Sequence, residues 1–147
     1  MEPFLAGSGP TVNMLLCDSA QASGGKLYML GGGLAVVGAK PQPLAIALHI
    51  TLPWDRANIP HEWKISLTDE DGKSVTANEK PLEVRGRFEA GRPAGLRPGT
   101  PLGVSLAINI PPLPLPAGRS YTFTLSIDDA TEPNWRVTFF KKEAPAT

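Results

Sequence analysis

His61-Glu62-Trp63-Lys64-Ile65-Ser66-Leu67-Thr68-Asp69-Glu70-Asp71-Gly72-Lys73-Ser74-Val75 is the stretch that decides the fold class. Trp63, Ile65 and Leu67 fall on one side of an extended chain, and Glu62, Lys64, Ser66 and Thr68 on the other. Side chains of a strand alternate with period two, so one face is buried and the other wet. Asp69 to Lys73 then turns the chain, with Gly72 free to take a positive φ. Val75 is expected to begin a return strand.

The same plan recurs outward in both directions. Val12–Asp18 reads as a strand apolar on nearly both faces, and Ser19–Gly25 as a small-residue turn. Lys26–Val37 reads as a second strand interrupted by Gly31-Gly32-Gly33. Leu44–Leu52, Leu82–Phe88, Leu102–Ile110, Ser120–Ile127 and Trp135–Phe140 complete about nine strands at short spacing, with no amphipathic helix. Gly91–Pro101 reads as a loop, and Pro111–Pro116 as an extended polyproline connector. The expected fold is all-β: a single-domain antiparallel β-sandwich, immunoglobulin-like or similar. Residues 1–10 are read as an N-terminal arm, 11–141 as the domain and 142–147 as a tail.

Composition narrows the function classes. The 147 residues fit one domain, and 41% hydrophobic content is enough for one core. Lys plus Arg and Asp plus Glu both number 14, a balance that argues against nucleic acid or an anionic membrane as partner. No apolar run approaches the roughly 20 residues of a membrane helix. No signal peptide is read at the N-terminus. Cys17 is the single cysteine, which suits a reducing compartment, and a cytoplasmic protein is expected.

The order of landmarks is similar to a family of uncharacterised bacterial all-β proteins of unknown function. Cys17-Asp18, Gly25-Lys26-Leu27, Gly31-Gly32-Gly33, Leu52-Pro53-Trp54 with Ala57-Asn58 and His61, and Asp69-Glu70-Asp71-Gly72 carry the resemblance, which spans roughly Val12 to Ile127. It implies a bacterial β-sandwich and brings no activity or catalytic residue with it.

Each candidate for chemistry has a plainer reading. Gly31-Gly32-Gly33 lacks the Lys and Ser/Thr of a phosphate loop and reads as a bulge or bend. Asp69, Asp71, Asp128 and Asp129 are candidate calcium ligands if their two turns share one end of the fold, but Asp also favours turns. His49 and His61 are too few for zinc. His61 beside Glu62 is a conceivable base, yet it reads better as a strand-start residue bonded to the Trp54–Asn58 turn. Cys17 reads as a buried thiol. Arg85, Arg87, Arg92 and Arg97 read as a solvated face. The expectation is therefore no enzyme, no metal and no cofactor. The protein is read as a structural or protein-interaction module. The alternative is a small-ligand or carbohydrate-binding module built on Trp54, Asn58 and His61.

Charge distribution adds an expectation about assembly. Residues 1–53 hold only four charges, Glu2, Asp18, Lys26 and Lys40. Ala45 and Ala47 back onto Ile46 and Leu48, so this strand has no wet face. Such a surface predicts a homo-oligomer, a two-fold dimer above all, or cover by the N-terminal arm and the proline-rich connector.

Overall fold

The computed structural model describes residues 9–145. Its strands in chain order begin with β1 (Thr11–Cys17), β2 (Ser19–Ser23), β3 (Lys26–Leu30), β4 (Val36–Val37) and β5 (Leu44–Leu52). They continue with β6 (His61–Asp69), β7 (Thr76–Ala77), β8 (Lys80–Pro81), β9 (Glu83–Phe88), β10 (Leu102–Ile110), β11 (Arg119–Ile127) and β12 (Arg136–Lys141). The chain is all-β. Among the described residues the one helical element is a 3-10 turn at Trp54–Arg56.

Two sheets carry the fold, and neither closes on itself. A five-stranded sheet runs β4-β12-β11-β6-β9 and a three-stranded sheet runs β1-β5-β10. All pairs are antiparallel except β12 with the short β4. β6 behaves as its alternation demands. His61, Trp63, Ile65 and Leu67 are buried, while the residues between them are exposed or half-buried. One core cluster draws on both sheets: Leu16, Ile46, Leu48, Ile50 and Ile108 from one, and Ile65, Leu67, Phe123, Leu125 and Phe139 from the other. Pooling both apolar faces is what makes each half-wet sheet stable.

Several sequence expectations are corrected. The described residues form twelve strands rather than nine. The segment read as one strand over 26–37 is two, because Gly31 and Gly33 take φ of +66° and +85° and end β3. A side chain at Gly31 would run into the Asp18 carboxylate, so only glycine fits there. Ser19–Gly25 is not merely a turn. Ser19–Ser23 pairs with β3 across Gly24-Gly25, which both take positive φ as a type I′ hairpin requires. The Asp69–Lys73 turn forms, with Gly72 at φ +78° and Asp69 Oδ1 accepting the Asp71 and Lys73 N–H groups at 2.9 and 3.0 Å. No long return strand follows it. Ser74 makes a single bridge to Thr68, β7 and β8 form a two-residue ladder of their own, and β9 is the strand that pairs with β6.

The uncharged face of β5 finds cover within the chain. Cys17, Ala45 and Ala47 form a second apolar cluster, packed against Ala20, Leu27 and Met29 of the β2–β3 hairpin. Ala45 and Ala47 are 0% and 1% exposed. The hairpin covers Ala45 and Ala47, so these two residues need no partner subunit to bury them. The N-terminal arm lies outside the described residues apart from Gly9 and Pro10.

Candidate functional site

The strip from Trp54 to His61 is built by two prolines. Pro53 opens the 3-10 turn, which the Arg56 and Ala57 N–H groups close onto Pro53 and Trp54 carbonyls at 3.0 and 3.2 Å. Asn58 takes φ +60° and its N–H donates to Ala90 O at 2.7 Å, leaving its side chain in an exposed position. Trp54 is half-buried. The Arg92 guanidinium lies 4.4 Å from its ring centroid and donates to its carbonyl at 2.8 Å. Trp54 also lines an open groove of about 650 Å³ with Thr11, Thr51, Pro53, Asp55 and Pro101.

His61 does not join this groove. It is 3% exposed, stacked on Phe88 at 5.2 Å between centroids. Its Nδ1–H donates to Asp128 Oδ2 at 2.7 Å, while Asp128 Oδ1 accepts the Glu62 N–H at 2.9 Å. The Asp128 N–H returns a bond to Glu62 O at 2.8 Å. The predicted bond from His61 to the Trp54–Asn58 turn is thus replaced by one carboxylate, which ties the start of β6 to the end of β11. Nε2 is buried with no partner among the described residues. Of the three residues proposed to bind a ligand, only Trp54 faces the groove.

The two acidic turns are not neighbours. Asp69 sits opposite Tyr121 at one end of β11, and Asp128 follows Ile127 at the other, about 20 Å away at 3.3 Å per residue. Asp128 and Asp129 have φ of +50° and +64° and turn the chain from Ile127 to Ala130, a geometry Asp tolerates. At the far end Asp69, Glu70 and Asp71 surround Arg119, at 3.7, 3.1 and 2.9 Å. The Glu70 hydrogen bond, helped by the charges of all three, pushes the Arg119 pKa up. These carboxylates are engaged with a guanidinium and cannot converge with Asp128 and Asp129 on one ion. Adding Ca²⁺ or EDTA is therefore expected to leave the Tm unchanged. A calcium-dependent rise abolished by Asp69→Asn or Asp128→Asn would overturn that reading.

The remaining candidates are also held by the scaffold. The Cys17 thiol donates to Ala45 O at 3.4 Å, and burial, with Asp18 nearby, pushes its pKa up, the reverse of what a nucleophile needs. Arg85 pairs with Glu83 and Arg87 with Glu62, so the arginines do not form one basic face. The proline connector is pinned: Tyr121 Oη donates to Pro116 O at 2.5 Å and the buried Lys141 Nζ to Leu115 O at 2.7 Å.

Residues 13–139 match the model of a family of unknown function, DUF6941. The chain belongs to that family. Comparison with curated proteins and with solved structures gave no match. The assignment agrees with the resemblance to an uncharacterised family read from the sequence and attaches no activity to the geometry above. Among the described residues, no helix is long and apolar enough to cross a membrane.

Asp128 carries two bonds at once, one from the buried His61 and one from the Glu62 N–H. Asp128→Ala strips the acceptor from the buried Nδ1–H and from the Glu62 N–H, and a loss of about 1–3 kcal/mol is expected in denaturant melts. Asp128→Asn keeps one acceptor and tolerates the positive φ, so its loss should be clearly smaller. Equal losses would show that the turn, not the carboxylate pairing, sets the cost.

Proposed function

We propose that the protein is a non-catalytic β-sandwich that serves as a structural or protein-interaction module in a bacterial cytoplasm. The observation that carries this reading is that the reactive groups are spent on one another. His61 is sealed under Phe88 and bonded to Asp128, the acidic turn is closed on Arg119, and Cys17 is buried with a raised pKa. What the chain offers outward is apolar surface, with Tyr28 53% and Leu30 72% exposed on the far side of the β2–β3 hairpin. The sandwich is supported by the core that both sheets share. The cytoplasmic setting is supported by the lone unpaired thiol. The bacterial source is supported by the sequence resemblance alone.

A second reading keeps a ligand at Trp54. It is favoured by the groove beside this ring, whose volume falls within the usual range for a small-molecule site. Arg92 lies over the indole and the ring also packs against the core, so a ligand would meet only the part of Trp54 that lines the groove. A thermal-shift screen over mono- and oligosaccharides and common metabolites separates the two. The module reading expects no shift. A rise in Tm that Trp54→Ala abolishes would install the ligand reading.

A further inference from the structure

We infer that β10 is a pairing edge, and that its partner is β10 of a second copy of this chain, antiparallel to it about a two-fold axis at Leu106. The inference rests on the interaction-module reading and names one partner for it.

The edges of the two sheets are unequal. β4 is two residues long. β9 carries Glu83, Arg85 and Arg87 among its six residues, the kind of charge that keeps an edge from pairing. On β1 the Leu16 carbonyl is taken by the Gly33 and Leu34 N–H groups at 2.9 Å each. β10 has none of these defences. It is nine residues long, Leu-Gly-Val-Ser-Leu-Ala-Ile-Asn-Ile, without a charge or a proline. It pairs with β5 on one side, the β2–β3 hairpin reaches one of its faces through the Ser105 Oγ donation to Gly25 O at 3.3 Å, and among the described residues no backbone group of β10 bonds to anything along its other edge. Gly103 and Asn109 are exposed and Val104, Ser105, Leu106 and Ala107 half-buried, while Leu102, Ile108 and Ile110 are buried.

The strand's own pattern points to itself as occupant. Pairing about Leu106 sets Leu102 opposite Ile110, Val104 opposite Ile108 and Leu106 opposite its copy on the core side. On the other side Gly103 meets Asn109 and Ser105 meets Ala107. Large aliphatics meet large aliphatics, small residues meet small, and no like charges are opposed, as favourable cross-strand pairs require. A partner strand of unrelated sequence would need no such symmetry. Pro101 and Pro111 bracket the strand and end the ladder at nine residues, since neither has an N–H to give. Two three-stranded sheets would then run on as one six-stranded sheet. A two-fold contact consumes both copies of the open edge, so assembly stops at two.

Light scattering of the full chain at high micromolar concentration is expected to return twice the chain mass. Two double variants test the register. Gly103→Lys with Asn109→Lys, and Gly103→Glu with Asn109→Glu, at the two exposed positions that this register sets opposite one another, each oppose like charges and should each run as folded monomers by circular dichroism. Mixed, they should recover the doubled mass and lose it again at high salt. Hydrogen exchange on the unmodified chain needs no variant: amides of residues 102–110 should slow on going from dilute to concentrated solution, and those of β9 should not. Three results would overturn the inference. One is the mass of a single chain throughout the concentration range. Another is a dimer that both charged variants still form. The last is a monomer that dimerises only when residues 1–8 are deleted, which would make the chain's own N-terminal segment the occupant. A ligand found in the screen above would sink the module reading without touching the mass, and a monomeric mass would leave the module without this partner.

Discussion

Trp63→Ala is expected to lower the unfolding free energy by about 3–5 kcal/mol, at the upper end of large-to-small core changes. Trp63 is 9% exposed in the middle of β6, paired with Ile127 of β11 on one side and Gly86 of β9 on the other. Its ring lies over Gly86 so closely that a methyl group there would sit 2.5–2.7 Å from three indole atoms. The glycine is thus the floor of the tryptophan's site, and it has no side chain with which to refill the space an alanine would leave. Poor collapse keeps the cavity cost high. The reciprocal change, Gly86→Ala, should cost about 1–3 kcal/mol by overpacking against the same ring. Combined, the two should cost less than their sum, because each relieves the other's fault. Urea melts of both single variants and the double variant check this cycle. A loss below about 1 kcal/mol for Trp63→Ala would put the indole on the surface and shift the register of β6, since such a loss is ordinary for exposed sites.

The strands that alternate strictly are legible in the sequence. Trp63, Ile65 and Leu67 on β6, Leu44 through Leu52 on β5, and Tyr121, Phe123, Leu125 and Ile127 on β11 all face the core as their spacing requires. β2 was missed because Ser-Ala-Gln-Ala-Ser has no apolar periodicity to report. Its evidence is the Gly24-Gly25 turn behind it, a two-residue hairpin signal that a reading based on hydrophobic period passes over. The return strand expected from Val75 fails to form for a different reason. A turn as well formed as Asp69–Lys73 fixes only local geometry, and β9 and β11 win their places by burying Phe88 and Phe123. At the candidate site, Trp54 and His61 were both singled out, but the pairing of His61 with Asp128 spans 67 positions and exists only once β11 lies beside β6. The acidic residues looked like ligands because sequence displays charge without showing what neutralises it.

Ala47→Glu carries the other large effect, and the fold changes what it tests. Were the uncharged face of β5 a subunit interface, this substitution would split a dimer, because a buried unpaired carboxylate is costly. In the fold, Ala47 lies at the centre of the three-stranded sheet, between Leu15 of β1 and Ala107 of β10, 1% exposed beneath the β2–β3 hairpin. A carboxylate there would sit among Cys17, Ala45, Ala20, Leu27 and Met29, and an uncompensated buried charge costs about 3–5 kcal/mol. The chain has one escape, which is to undock the hairpin and let the carboxylate reach water. The observed loss is therefore the smaller of the burial cost and the hairpin's docking energy. Hydrogen exchange distinguishes the routes: undocking frees the amides of β2 and β3 alone, whereas global destabilisation speeds exchange throughout both sheets. The sign with pH follows from the charge. The introduced carboxyl has an unfolded pKa of about 4.3 and a higher one when buried, so the penalty is full at neutral pH and shrinks as pH falls toward about 4. Ala22→Glu, at an exposed position of the same hairpin, should stay within about 0.5 kcal/mol of the parent. If Ala47→Glu melted alongside it at neutral pH with β2–β3 still protected, the hairpin would not cover the sheet, and the uncharged face would again need a partner subunit to bury it.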